Sequence, residues 1–284
     1  MRIAHVSDTH FGCLREGLVA QVLAAVRAAA PDAVALTGDI TQRARRSQFV
    51  DAAVFFDALP RPHCIVPGNH DVPLYHFAAR FLAPLAAYRR FLAPLGAAHI
   101  AHADALIVPF ETTQRFTIDR GRLSQASVER ARAQFDGSAP RLPTLSAEPL
   151  RIALLHHPPV VPDDVRATMQ LIDADEALDA LAGLGVDVVL SGHTHRPWIA
   201  IVEARSASGA PWQMLSITAN TATSSRVRAH ENSFYLIDAT PVRVEIVEHV
   251  HSDREAAFVA GTRLAFAHHA PGQWRQVGTP HLRD

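Results

Sequence analysis

Aspartate, asparagine and histidine residues follow five short apolar runs of the sequence. One group, residues 68–71, reads Gly-Asn-His-Asp and comes after the run 65–67. A turn that ends a strand places its polar side chains at the edge of a sheet, so we expect the five groups to converge on one ligand. The other four groups are Asp8-Thr9-His10, Gly38-Asp39, His156-His157-Pro158 and Gly192-His193-Thr194-His195.

These residue types predict a metal centre. Residues two apart at a strand end leave the same face, which pairs Asp8 with His10 and His193 with His195. Seven oxygen and nitrogen donors are too many for one ion and suit two ions that share a carboxylate. With no cysteine among them, the donors favour Mn, Fe or Zn over a thiolate site. They are Asp8, His10, Asp39, Asn69, His156, His193 and His195.

The first elements of the chain are predicted to alternate as strand and helix. Apolar runs at 3–6, 33–36 and 63–66 indicate strands, and helical spacing covers 18–30 and 47–58, with Ser47 as N-cap. A βαβαβ start predicts a parallel sheet with right-handed crossovers and a site at the carboxyl ends of its strands. Asp8, Asp39 and Asn69 fall at those ends.

The later elements indicate a mixed α/β chain. Prolines at 84 and 94 predict two short broken helices within 72–104. Strands are expected at 105–109, 152–155 and 186–190, helices at 124–135 and 173–182, and a polar connection at 137–149. Four shorter runs after residue 198 indicate antiparallel strands. We expect one domain over residues 1–250 and a C-terminal extension over 251–284 that packs on it or is partly disordered.

Composition limits the function classes. A chain of 284 residues with 48% hydrophobic content forms a large core, and a net charge of -1 provides no global attraction to nucleic acid or anionic membrane. Two cysteines fit a reducing compartment. We expect the first strand to begin at once, without a signal peptide before it, and the most apolar window contains Arg27, Pro31 and Asp32. We therefore expect a cytoplasmic protein without a membrane span.

The order D-x-H, G-D, G-N-H-D, H, G-H-x-H resembles the calcineurin-like metallophosphoesterase superfamily, and its motifs cover residues 8–195. The later stretch 221–226, Thr-Ala-Thr-Ser-Ser-Arg, resembles the bacterial branch that contains class III cyclic-nucleotide phosphodiesterases. The resemblance implies a four-layer αββα sandwich, in which two mixed central sheets are flanked by helices.

The resemblance also implies a role for each donor. One ion would be bound by Asp8, His10 and His195, the other by Asn69, His156 and His193, and Asp39 would bridge them. His156 is preferred to its neighbour as a ligand because adjacent strand residues point to opposite sides and the family's ligand stands two residues before the proline.

The neighbours of Asn69 would contribute to catalysis without binding metal. His70 would lie over the phosphorus, and Asp71 would orient His70 or a ligand. Two ions would acidify a bridging water for in-line attack on phosphorus. His70 would then donate a proton to the leaving alkoxide or stabilise charge in the transition state.

A small phosphodiester is the expected substrate, with cyclic nucleotides or glycerophosphodiesters as the first classes. Asn69 and His70 would contact it, and arginines could bind a second phosphate, although a solvated surface position is the simpler interpretation of each. These arginines are Arg43, Arg45, Arg46, Arg196 and Arg226. We expect no stable nucleic-acid complex, and a homodimer is left open.

Three alternatives use the same scaffold. A nuclease is disfavoured by neutral charge and by the lack of a basic stripe with interleaved aromatic residues. A lipid-precursor pyrophosphatase is disfavoured by His70, because that group usually has arginine there. A catalytically silent binding module would be indicated by lost ligands, and none is lost.

Overall fold

The computed structural model describes residues 1–138, 148–226 and 230–278. Most of the predicted connection at 137–149 lies outside these ranges. Six α-helices lie within them, at Leu18–Ala29 (α1), Arg46–Ala58 (α2), Phe77–Leu82 (α3), Ala86–Phe91 (α4), Gln125–Ser138 (α5) and Ala174–Gly183 (α6). None of the helices in the described ranges is both long and apolar enough to cross a membrane.

The strands of the described residues form two sheets. They run at Arg2–Val6 (β1), Ala33–Thr37 (β2), His63–Val66 (β3), Ile100–Ala101 (β4), Ala105–Pro109 (β5), Leu150–Leu154 (β6), Val188–Ser191 (β7), Trp198–Arg205 (β8), Pro211–Thr218 (β9), Ser233–Thr240 (β10), Arg243–Ser252 (β11), Ala257–Ala270 (β12) and Gln273–Gln276 (β13). The first sheet has the order β13-β12-β11-β10-β1-β2-β3, and the second β4-β5-β6-β7-β9-β8.

Parallel strands form one end of the first sheet and the centre of the second. In the first sheet β1, β2 and β3 are parallel neighbours joined through α1 and α2, which confirms the predicted βαβαβ start. In the second sheet β5, β6, β7 and β9 are parallel, whereas β4 and β8 pair antiparallel at its edges. Both sheets are therefore mixed, and each has a set of aligned carboxyl ends.

Alternate residues of a strand face different cores on the two sides of its sheet. In β2, Ala33 and Ala35 face the core between the sheets, whereas Val34 and Leu36 pack towards the core under α1 and α2. In β7, Val188 and Leu190 face the central core and Val189 faces the core under α5 and α6. Both faces of each sheet are covered, which gives the predicted four-layer αββα sandwich.

Two features differ from expectation or extend it. Helix α2 begins at Arg46 rather than after a Ser47 cap, because the Gln48 side-chain oxygen accepts from the backbone N–H groups of Arg43 (2.9 Å) and Arg45 (3.3 Å). Strand β11 continues past residue 250, the predicted end of the domain, to Ser252. Strands β12 and β13 then extend the first sheet to Gln276. The predicted pair of short helices at 72–104 is present as α3 and α4.

Candidate metal centre

The seven predicted donors lie where the carboxyl ends of the two sheets meet. Four follow β1, β2 and β3 of the first sheet, and three follow β6 and β7 of the second. Backbone hydrogen bonds from Asp8 N to Gly38 O (3.1 Å) and from His10 N to Asp39 O (3.0 Å) hold adjacent turns together. The structure thus brings together Asp8, His10, Asp39, Asn69, His156, His193 and His195.

The first cluster consists of Asp8, His10, Asp39 and His195, whose ligand atoms all lie within 4.8 Å of one another. The Nε2 atoms of His10 and His195 are 2.9 Å apart, and Asp8 Oδ1 is 3.3 Å from His195 Nε2. Asp8 Oδ2 accepts from the backbone N–H of His193 (3.0 Å), whereas buried Oδ1 has no hydrogen-bond donor among the described residues. Oδ1 is therefore free to bind a cation.

The second cluster contains His156 and His193 beside Asn69. His156 Nδ1 donates to the Thr37 carbonyl (2.7 Å), and its Nε2 lies 3.1 Å from Asn69 Oδ1. Asn69 Nδ2 donates to the Ile118 carbonyl (3.1 Å), which directs the amide oxygen towards His156. Both ring nitrogens of buried His193 have no partner among the described residues. Such orphaned buried atoms fit a metal site.

Asp39 lies between the two clusters. Its Oδ1 is 3.3 Å from His156 Nε2, and its Oδ2 is 3.8 Å from His10 Nε2. Oδ1 also accepts from the backbone N–H of His70 (2.8 Å). One carboxylate therefore presents an oxygen atom to each cluster.

The prediction that His157 and His156 point to opposite sides is wrong. Strand β6 ends at Leu154, so strand alternation no longer applies two residues later. The His157 ring centroid lies 4.7 Å from that of His156 and 4.6 Å from that of His193. Its Nδ1 is 2.9 Å from Thr112 Oγ1, and its Nε2 has no partner among the described residues. His157 is thus an additional candidate donor.

The pKa values indicate a cation-binding site. Burial alone would raise the pKa of Asp8, but the interaction with His195 lowers it on balance. Burial likewise opposes ionisation of Asp39, yet the surrounding histidines hold its pKa at about 2. Burial lowers the pKa of His10 and of His193 to about 3. Burial would lower the pKa of His195, but the interaction with Asp8 raises it on balance. Ionised Asp8 and Asp39 and neutral His10 and His193 are the protonation states that bind metal.

The backbone of the centre is unusual. Five of the seven donors have a left-handed φ, a region that non-glycine residues seldom adopt and that is concentrated at functional sites. Gly68 allows a close backbone approach, because a Cβ atom there would overlap the backbone nitrogen of Asp39. The left-handed donors are Asp8 (50°), His10 (48°), Asp39 (45°), His193 (73°) and His195 (53°).

His70 lies at the entrance to the centre, with 19% of its side chain exposed. Its Nδ1 is 2.9 Å from the Gln42 carbonyl oxygen and 3.4 Å from an Arg43 nitrogen. Nδ1 either donates a proton to the carbonyl or accepts one from Arg43. We assign the protonated form, because the contact with the carbonyl is the shorter of the two. Nε2 then faces inwards, 3.9 Å from Asp39 Oδ2 and 3.5 Å from Arg226 Nη1.

Gln42 is a site residue that the sequence did not reveal. With its amide oriented so that the oxygen faces donors, that oxygen accepts from Arg43 Nη1 (3.1 Å) and Arg226 Nη1 (3.2 Å). Two of the predicted arginines are thereby gathered beside His70. A glutamine outside every motif carried no signal that could have identified it.

Other predicted residues lie apart from the reacting position. The Asp71 carboxylate accepts from the backbone N–H groups of Ile40 (3.1 Å), Thr41 (2.8 Å) and Gly68 (2.9 Å), so it fixes the turns that carry Asp39 and Asn69. It makes no hydrogen bond to the His70 imidazole, so it does not orient that ring. Its contacts fit the other predicted role, which is to orient metal ligands, and it does so through their backbone.

The remaining arginines have other partners. Arg196 is ion-paired with Asp164 and lines a cavity of about 390 Å³ that also borders His195. Arg46 lies over the ring of Phe91, 6.0 Å from its centroid, and Arg45 is exposed near the start of α2. Of the predicted arginines, Arg43 and Arg226 are the ones that reach His70.

Comparison with known proteins agrees with this geometry. The model of the calcineurin-like phosphoesterase family matches residues 1–197. A dimetal phosphatase from Danio rerio superimposes with a TM-score of 0.61 at 13% identity, covering 92% of this chain and 98% of that one. The purple acid phosphatase PPD1 from yellow lupin (Lupinus luteus) seeds gives a TM-score of 0.65 at 11% identity, covering 93% of this chain and 53% of that one.

No curated protein matches the sequence. At these identities the two solved structures show the fold alone, whereas the family model spans the motifs from Asp8 to His195. Those motifs supply both donor clusters of the centre. The chain therefore belongs to the calcineurin-like phosphoesterase family.

Proposed function

We propose that the protein is a dinuclear, metal-dependent phosphodiesterase that hydrolyses small phosphodiesters. The observation that carries this proposal is the position of Asp39. Its two oxygens face separate clusters, at 3.3 Å from His156 Nε2 and 3.8 Å from His10 Nε2. A shared carboxylate between two sets of donors is the arrangement that a two-metal hydrolase requires.

In the proposed ligand assignment, Asp39 contributes to both sites. The buried unpartnered atoms, Asp8 Oδ1 and the His193 nitrogens, fit this arrangement. Nitrogen and oxygen donors without sulfur favour Mn, Fe or Zn. The first site consists of Asp8, His10 and His195, and the second consists of Asn69, His156 and His193.

When bound, the two ions would supply an acidified water and neutralise phosphoryl charge. The chain's own residues would do the rest. The Gln42 carbonyl retains a proton on His70 Nδ1, and the inward-facing Nε2, when also protonated, donates its proton to the departing alkoxide. Arg43 and Arg226 place two guanidinium groups beside this position, where they can bind phosphoryl oxygens or a second anionic group.

Small diesters, such as cyclic nucleotides or glycerophosphodiesters, are the proposed substrates. Asn69, His70, Arg43 and Arg226 are the residues at the entrance that could contact them. Arg196 could contact a larger substituent only by leaving Asp164.

The test is metal-dependent hydrolysis by the purified chain. Protein stripped with a chelator is reloaded with Mn, Fe or Zn and assayed on bis(nitrophenyl) phosphate, nitrophenyl phosphate, cyclic AMP and glycerophosphocholine. We expect two ions per chain and preferential turnover of diesters. Asp39→Asn should lose both ions together, whereas Asp51→Asn, on an exposed face of α2, should retain them. Diester turnover by a metal-free chain, or Asp39→Asn with two ions and normal turnover, would contradict the proposal.

A further inference from the structure

Large apolar side chains are exposed beside the site. Of the ten large hydrophobic residues that are exposed in the described ranges, six lie within residues 75–82 and 116–118. Single exposed apolar residues are ordinary, but such a concentration marks a binding surface. We call this surface the apolar rim; it consists of Tyr75, Phe77, Phe81, Leu82, Phe116 and Ile118.

The two chain segments of the apolar rim are in contact with each other. The ring centroids of Phe81 and Phe116 are 5.8 Å apart, and Arg115 Nη1 donates to the Phe81 carbonyl (2.9 Å). Phe77 and Phe81 are four residues apart in α3, so they share a face of that helix. The two chain segments therefore present a joint apolar face.

A buried arginine fixes the shape of this surface. Arg80, with only 6% of its surface exposed, donates to the carbonyl oxygens of Arg115 (2.8 Å) and Pro73 (3.0 Å), and also to that of Thr117. These bonds tie the segment that contains α3 to the segment that carries Phe116. A surface organised before binding loses less conformational entropy when a ligand is bound.

The apolar rim is continuous with the metal centre. Asn69, a candidate ligand, donates through Nδ2 to the Ile118 carbonyl (3.1 Å). The same Ile118, 64% exposed, lines a small depression together with His70 and Arg43. The apolar surface therefore begins beside the phosphoryl position and extends outwards towards α3.

We propose that the phosphoesters accepted by this site carry an alkyl or acyl chain, which lies along the apolar rim while the phosphoryl group lies at the metal centre. This inference rests on the proposed function. The contact of Ile118 with Asn69 favours a chain that belongs to the substrate, because a surface that docks a membrane or a second copy needs no connection to a metal ligand. Two arginines for the anionic group and an apolar surface for the chain match an amphiphilic ester.

The test uses n-alkyl phosphates as competitive inhibitors of bis(nitrophenyl) phosphate hydrolysis by the Mn-loaded enzyme. Methyl, butyl and octyl phosphate share the anionic group and differ in chain length, and octyl phosphate is kept below its micellar concentration. We expect the inhibition constant to fall about twofold to fourfold per added methylene, the effect of burying it. Equal inhibition by all three compounds would overturn the inference.

Variants locate the effect on the surface. The double variant Phe81→Ser/Phe116→Ser should bind methyl phosphate like the wild type and lose most of the chain-length dependence. Val54→Ser is the control, because Val54 is 70% exposed on α2, a helix that contributes no residue to the apolar rim. If the double variant fails to fold by circular dichroism, Ile118→Ser replaces it, since its bond to Asn69 uses only backbone. Full chain-length dependence in the folded variant would overturn the inference.

Calorimetry separates this inference from the proposed function. Binding of octyl and methyl phosphate to the metal-loaded protein is measured without turnover, so a preference for octyl phosphate supports the apolar rim even if the diester is not hydrolysed. Turnover with no chain preference leaves the proposed function standing and overturns the rim as a substrate surface. Vesicle binding that depends on Phe116, with no effect of chain length, would also overturn the rim as a substrate surface. A dimer on size exclusion that depends on Phe116, again with no effect of chain length, would do the same.

Discussion

The Nδ1 atom of His156 lies 2.7 Å from the carbonyl oxygen of Thr37, the last residue of β2. A carbonyl only accepts, so the proton is on Nδ1 and the lone pair is on Nε2, the atom that faces Asn69 and Asp39. His157 differs, because its Nδ1 contacts the Thr112 hydroxyl, which can donate or accept. His156 is therefore the histidine of this pair whose free nitrogen is committed to the centre.

We predict that His156→Ala loses one ion and more activity than His157→Ala. Loss of a group that supports a ligand typically costs about tenfold to a hundredfold in affinity or activity, and loss of the ligand itself should exceed this range. Metal content and kcat measured on the same samples test the ranking. Thr112→Val, which removes the hydroxyl partner of His157, is the control and should resemble the milder variant. The reverse ranking would assign His157 as the ligand.

His70→Ala should discriminate between leaving groups. An alkoxide needs a proton as the P–O bond breaks, whereas nitrophenolate leaves without one, so the loss should be about a hundredfold to ten-thousandfold on an alkyl diester and much smaller on the nitrophenyl diester. Metal content should not change, because His70 is not a proposed ligand. The measurement is kcat on both substrates for wild type and variant. Equal losses on the two substrates, with metal content unchanged, would indicate that His70 stabilises charge in the transition state and does not donate a proton.

The arginines should fall into two classes. Arg43→Ala and Arg226→Ala should each raise KM for a diester with a second anionic group by about tenfold to a hundredfold, the value of a charge-assisted hydrogen bond. Arg46→Ala, which removes a side chain lying over Phe91, should change KM less than about twofold. KM is compared for a diester that carries a second anionic group and for an aryl diester whose substituents are uncharged. Similar effects of all three variants on both diesters would show that Arg43 and Arg226 are solvated surface residues that do not bind the second anionic group.

His268 should make stability depend on pH. Its Nε2 lies 3.3 Å from Asp187 Oδ1 and its ring stacks on Trp274. Burial lowers the pKa of His268, but the interaction with Asp187 raises it, on balance above 6.5. This stabilisation is complete below pH 6.5 and is lost as pH rises through the higher folded-state pKa.

The measurement is the free energy of unfolding in urea, in mildly acidic and in alkaline buffer. The ion pair should contribute about 1 kcal/mol or less. His268→Phe retains a ring for Trp274 and should show a smaller decrease with rising pH than the wild type. Equal pH dependence in the two proteins would show that the pair does not contribute.

The convergence of the donors could be predicted from sequence because parallel strands align their carboxyl ends. Each group follows an apolar run, so the position of Asp8, Asp39 and Asn69 follows from the order of β1, β2 and β3. Residues of the second sheet required one further step. The strand-end pattern predicted that His156 and His193 join the same site, but the stacking of two sheets came from the family resemblance, since periodicity alone does not specify it.

Other parts of the site depend on geometry that residue spacing does not encode. The direction of His157 is set by a bend after β6, where strand alternation has ended. The partners of Asp71 are backbone N–H groups, and these carry no sequence signal. Strand β12 was missed because most of its residues are only partly buried, which weakens the alternation of polar and apolar residues.

The donors of the centre are divided between the two sheets. Asp8, His10, Asp39 and Asn69 follow strands of the first sheet, and His156, His193 and His195 follow strands of the second. Each proposed site takes donors from both sheets, so a bound ion would stabilise their association. An ion present at a hundred times its dissociation constant adds about 2.7 kcal/mol per site to the free energy of unfolding. We therefore expect a chelator to lower Tm and Mn to restore it, by calorimetry.

This division links metal release to separation of the sheets. A fragment that ends before residue 150 retains Asp8 and Asp39 but neither His156 nor His195, so it holds no complete set of donors for either ion. During synthesis the amino-terminal half would emerge with carboxylates and imidazoles that cannot yet bind tightly. On the proposed assignment, high-affinity metal uptake would wait for the second sheet to dock, and the ions would then report the completion of folding rather than start it.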